Sequence, residues 1–257
     1  MKFAFVAIAA VAALSMSSCK KEDKETKSGI FKGPEVSVHD GKAWTWVELN
    51  RDGKPERVAI SINEAALNSV PVAEGEEDHD GHDMDNSVVL KFHPKIDATL
   101  FNHVGLDWNP GGHPPFPIYT HPHFDFHYYM VTEAQRTQMV DPGKLAAEVP
   151  AGYVPATYIG VDPVPMMGKH YVDATAPELN GELFNQTFIY GSYDGKISFY
   201  EPMITLDYLK ATLDFVRDIP QPAKFQKTGY YPTKMRIKKV SGVTNVILEG
   251  FQFKTAS

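Results

Sequence analysis

The residues best suited to chemistry lie in one short stretch. Four of the ten histidines fall within HPPFPIYTHPHFDFHYY, residues 113–129. From 123 to 131 polar and apolar residues alternate, which predicts a strand. Phe124, Phe126, Tyr128 and Met130 then share one face, and His123, Asp125, His127 and Tyr129 share the other. Imidazole and carboxylate on one face suit a divalent ion, Zn²⁺, Fe²⁺, Mn²⁺ or Cu²⁺. Neighbours on one strand face stand about 6.6 Å apart and residues four apart about 13 Å. His123 with Asp125, or Asp125 with His127, can therefore share one ion. His123 and His127 can do so only across a bend or bulge. Asp125 can instead orient a histidine as an outer partner.

Three further groups are candidates. His121 precedes Pro122, which favours extended backbone and lets it join from the strand entrance. His170 closes the Gly/Pro stretch PMMGKH, and Glu201 follows a strand expected over 196–200, just before Pro202. If the site is catalytic, activation of water or O₂ on the ion is its chemistry, with Tyr129 or Asp125 moving protons. No catalytic residue is assigned. The plainer alternative is a solvated polar face of an antiparallel sheet. The Pro/Gly loop upstream and the flanking aromatics favour a sheltered pocket instead.

The elements that must hold these groups read as a mainly β, α+β chain: an antiparallel sandwich or barrel with two or three short helices. Asp-Gly at 52–53 and at 194–195, and Ser-Gly at 241–242, each sit between β-rich runs and predict hairpins. Residues 63–69 fit a short helix, 132–140 a helix capped by Thr132, and 205–216 a helix with Leu206, Leu209, Leu213 and Val216 as its apolar stripe. Residues 107–117 and 141–187 are rich in proline and are expected to be loops. The acidic stretch 74–86 has no EF-hand ligand order, so a solvated loop insertion is expected there despite His79 and His82.

The N-terminus gives the location. Lys2, the apolar run 3–14 and small residues before Cys19 have the form of a bacterial lipoprotein signal, residues 1–18, with Cys19 as the lipidated thiol. Residues 19–33 are charged and read as a tether, so the folded domain is expected over 34–257. The expected location is export, with lipid anchoring at the outer membrane, on its periplasmic or surface face, and the membrane as a partner through that anchor. A net charge of -7 without a basic stripe excludes nucleic acid. A single Cys excludes an internal disulfide and a Cys-based zinc site. No GxSxG, P-loop or HExxH occurs, so serine-hydrolase and zincin chemistry have no support.

Two resemblances add expectations. His121-Pro122-His123 and Pro165-x-x-Gly168-x-His170 loosely resemble the metal-binding elements of cupins, with His127 where a carboxylate is usual and the spacing shifted. More specifically, DWNPGGH, PHFDFHYYM, PMMGKH and IYGSYDGKISFYEPMIT resemble the strings of a family of uncharacterised exported bacterial proteins, one member of which is under extracytoplasmic stress sigma-factor control. That likeness implies export and a β-rich domain, and it brings no activity with it. Two other functions stay open: a non-enzymatic binding or envelope-stress module that takes a small molecule or an envelope partner, and a carbohydrate surface built on Trp44 and Trp46.

Overall fold

The computed structural model describes Met1, residues 27–71 and residues 86–257. Cys19, the signal segment and the acidic stretch up to 85 lie outside the described residues. Among those described the chain is mainly β, with two antiparallel sheets stacked as a sandwich.

The first sheet has the order β1-β2-β3-β14-β13-β11: Gly29–Val38, Gly41–Leu49, Pro55–Asn63, Val243–Glu249, Lys234–Val240 and Asp214–Asp218. The second has the order β4-β5-β6-β10-β9-β8-β7: Ser87–Lys91, His103–Asn109, His123–Tyr129, Lys196–Thr205, Gln186–Tyr193, Gly168–Asp173 and Tyr158–Val164. A small ribbon pairs β12, Gly229–Tyr231, with β15, Gln252–Lys254. Four short helices decorate the described chain: α1 Glu64–Ser69, α2 Glu133–Arg136, α3 Pro142–Ala146 and α4 Leu206–Ala211. Among the described residues no helix is long and apolar enough to cross a membrane.

Strand alternation builds the core. Val47, Ile60, Ile237 and Leu248 of the first sheet meet Leu106, Phe124, Phe126 and Tyr200 of the second in one buried cluster. Burying such side chains contributes about 1.5–3 kcal/mol each. Polar groups that cross the layer find partners: the Tyr128 hydroxyl donates to the Val246 carbonyl at 2.9 Å, and Thr45 donates to the Lys91 carbonyl at 2.7 Å.

The expected hairpin turns form. Asp194 and Gly195 have φ of 54° and 68°, and Ser241 and Gly242 have 49° and 75°, the paired left-handed residues that match strand twist. Asn63, Thr132 and Thr205 cap α1, α2 and α4.

Several boundaries differ from expectation. The segment 205–216 is not one helix: α4 ends at Ala211, Leu213 is 72% exposed, and Val216 lies in β11, where pairing with β13 outweighs the apolar stripe. The helix capped by Thr132 is a single regular turn rather than reaching 140. The loop expected over 107–117 starts only after Asn109, because β5 runs through Asp107 and Trp108. Within 141–187, β7 and β8 form despite the prolines. Pro163 sits at a register shift of edge strand β7, where a missing N–H costs little. The strand expected to stop at Tyr200 continues through Glu201 and Pro202 to Thr205, with Pro202 paired to Phe188. Pairing of the first sheet begins at Gly29, inside the stretch 19–33 read as tether and ahead of the boundary expected at 34.

Candidate metal centre

The outer face of the second sheet carries the site. Register places Asn109 opposite His123, Asp107 opposite Asp125, and Gly105 opposite His127 on β5 and β6. The register pairing Tyr200 with Tyr128 and Met203 with Asp125 sets Glu201 across from His127. His170 comes from β8, with Gly191 of β9 between it and Phe199 of β10. Glycine matters there: a Cβ at 191 would lie 1.9 Å from the Phe199 ring. With no side chain on β9 in the way, that ring lies 5.1 Å from both the His127 and His170 rings and backs them.

Two groups of three ligand atoms result, each within 4.8 Å of one another: His113, His123 and Asp125, and His127, His170 and Glu201. In the first, His123 Nε2 stands 3.2 Å from Asp125 Oδ1 and His113 Nε2 3.3 Å from Asp125 Oδ2. In the second, Glu201 Oε1 is 3.4 Å from His127 Nε2, and Oε2 is 3.5 Å from His170 Nε2. Ligands about 2.0–2.2 Å from one ion stand about 3.3–3.6 Å apart at tetrahedral angles, so the donor sets fit a metal.

The tautomers favour that use. His123 Nδ1 lies 2.7 Å from the His121 carbonyl, and His113 Nδ1 lies 2.7 Å from the Pro114 carbonyl. A carbonyl only accepts, so Nδ1 carries the proton in both rings and the Nε2 of a neutral ring presents a lone pair. His127 Nδ1 is held likewise by Asp107 Oδ2 at 2.8 Å. Each of these Nε2 atoms faces a carboxylate oxygen, and when the imidazole is neutral two acceptors meet. His123 Nε2 and Glu201 Oε2 are buried and make no hydrogen bond. Only a cation, a proton or a metal ion, can sit comfortably between such groups.

Electrostatics describe the protonic alternative. Burial opposes charge on His127, but Glu201 and Asp107 outweigh it and lift the imidazole to about 9. Burial pushes Glu201 up to about 8, with His127 pulling the other way. Burial would also raise Asp125, yet His123 and His113 hold it well below the usual carboxylate range. Asn109 Nδ2 donates to Asp125 Oδ2 at 2.8 Å. Burial drops His103 to about 4, so it stands neutral, stacked on Tyr129 at 4.9 Å.

Loops dry the face. Tyr119, Phe184 and Met203 pack together over one end, with Phe184 edge-on to His123 at 5.3 Å. Met167, Phe199 and Tyr129 close the other. The His113 and His170 side chains keep slight exposure, 13% and 9%.

Of the residues singled out from sequence, His123, Asp125, His127, His170 and Glu201 converge. They divide between two groups, with Asp125 and His127 in different ones. The His121 ring is exposed and belongs to neither group; its carbonyl serves instead by orienting His123. Sequence reasoning missed His113 as a candidate ligand, and Asp107 and Asn109 as the groups that hold His127 and Asp125. The signal was present as the alternation His103, Gly105, Asp107, Asn109, obscured by the prolines that follow. Trp44 and Trp46 do not form an open platform: Trp46 is buried and donates to Ser61 at 2.9 Å, and Lys32 lies 4.2 Å over the Trp44 ring.

Comparison of the chain with protein-family models, with curated proteins and with solved structures finds no match in any of the three.

Proposed function

We propose that this is an exported, lipid-anchored envelope protein that binds a divalent metal ion at His127, His170 and Glu201. The observation that carries the metal reading is the convergence of His127 Nε2 and His170 Nε2 on the two oxygens of buried Glu201, with His127 oriented by Asp107. Location rests on the signal-like segment ending at Cys19.

Two imidazoles and one carboxylate suit Zn²⁺, Fe²⁺, Mn²⁺ or Cu²⁺ and leave coordination positions open. Such an ion supplies Lewis acidity, or redox chemistry if it is iron or copper. The chain's own contribution is to hold the His127 imidazole in one tautomer through Asp107, to back both imidazoles with Phe199, and to keep bulk water out through the covering loops.

Elemental mass spectrometry on untagged protein tests this. Near-stoichiometric metal that disappears in a His127→Ala/His170→Ala double variant is expected. Absence of metal from the wild type, even after reconstitution with each of the four ions, would overturn the proposal.

A further inference from the structure

The six ligand atoms fall into two sets of three rather than one set of six. Around a single octahedral ion, opposite ligands stand about 4.2–4.4 Å apart, so all six would share one small sphere. They do not. Asp125 and His127, adjacent on the same face of β6, belong to different sets. The sets have the same chemistry, two imidazole nitrogens and a carboxylate.

We infer that the protein binds a second divalent cation, at His113, His123 and Asp125. This inference rests on the metal reading of the neighbouring triad. Each group in the second site is built for the task. The His123 ring is fully buried and oriented by the His121 carbonyl, and its Nε2 faces Asp125 Oδ1 at 3.2 Å. Asn109 holds Asp125 from the neighbouring strand. The His113 ring is oriented by the Pro114 carbonyl, and its backbone N–H donates to the Tyr119 carbonyl at 3.0 Å.

The two sites differ in what carries them. His127, His170 and Glu201 all sit on central strands, locked by cross-strand bonds. His113 sits on the irregular segment between β5 and β6, held by its bond to the Tyr119 carbonyl and the buried Tyr119 ring rather than by a strand ladder. Ordering a loop costs free energy that a strand has already spent. The ion at the strand-borne triad binds first and tightly. The loop-borne one binds second, about tenfold or more weakly, and draws the segment 110–122 into the sheet's rigidity.

The test is a titration of the metal-free full chain with Zn²⁺, followed by calorimetry and elemental analysis, beside His113→Ala. The expected result is two ions on the wild type in two phases. His113→Ala should keep the tight ion and weaken the second by more than the about 10–100-fold that loss of an outer partner costs. Hydrogen exchange on the wild type gives a readout that needs no variant. The second equivalent, not the first, should slow exchange within 110–122. One ion at saturation, or two ions indifferent to His113→Ala with no change in that segment, would overturn the second site and leave the first intact. No ion at all would overturn both.

Discussion

The two outward faces of the sandwich are built by the same alternation and end in opposite states. On the first sheet, Arg57 pairs with Glu48, and Arg236 pairs with Glu249 at 3.0 Å and Asp214 at 2.6 Å. These are long cationic side chains that reach solvent, and water shares the cost of their charge. On the second sheet, Asp107 and Glu201 face histidines rather than lysine or arginine, and loops shut the water out. Buried carboxylates matched to imidazoles depend on a proton or a metal ion for their countercharge. What separates a decorated surface from a candidate binding centre here is the cover over the face and the pairing of its buried carboxylates with imidazoles, while the guanidinium near them, that of Arg136, lies over the Tyr129 ring.

The largest test of that contrast is metal removal. An ion present at about 1,000 times its dissociation constant stabilises the fold by about 4 kcal/mol. At about 2–4 °C per kcal/mol for a chain of this size, a chelator should lower the melting temperature by about 8–16 °C. An unchanged melting curve in protein that arrives metal-loaded would make the second sheet's face no different from the first's.

pH sharpens the same contrast. In metal-free protein both Glu201, at about 8, and His127, at about 9, sit above their ordinary values of 4.5 and 6.5. The folded chain therefore holds these protons more tightly than the unfolded one. That stability is complete below each group's ordinary value and is lost as pH rises toward 9. Melting of metal-free protein should fall steadily between pH 6.5 and 9. With Zn²⁺ the trend should reverse over the lower part of that range, because the ion replaces the protons. Scanning fluorimetry at three pH values, with Zn²⁺ and with chelator, reads both limbs; parallel curves would contradict them.

The smallest effect is expected on the other face. Arg57→Ala should cost less than about 1 kcal/mol, a shift of at most about 4 °C, and it should lose sensitivity to salt. A larger loss would mean that packing of the Arg57 side chain over Trp46, with its guanidinium carbon 5.6 Å from the ring centroid, outweighs its ion pair.

Much of this was legible in the residues. Period-two alternation over 123–129 placed three candidate ligands on one face, and Asp-Gly at 194–195 fixed the hairpin that brings β10 beside β9. Both signals are local, and local geometry enforces them. The pairing of β6 with β10 is not local, so Glu201 opposite His127 could not be read from spacing. His113 escaped for a related reason: its position depends on how an irregular segment folds back over the sheet. Prolines misled twice, at 163 and at 202. Each sits where the ladder is already shifted or interrupted, so the rule that proline ends a strand did not apply. Leu213 and Val216 misled as well, because a helical stripe also suits residues whose backbone is claimed by a neighbouring strand.

Gly191 bears on anyone who would transplant this centre into another sheet. The Phe199 ring occupies the space a side chain at 191 would fill, and Gly105 gives Tyr129 and Asp107 the same freedom on the far side of His127, where a Cβ would meet them at 3.3 Å and 3.4 Å. A graft that copied the two histidines and the glutamate onto alanine-flanked strands would carry the donors and lose their spacing. The transferable unit therefore includes two residues with no side chain at all, and a search for kindred sites by ligand pattern gains by asking for those two gaps.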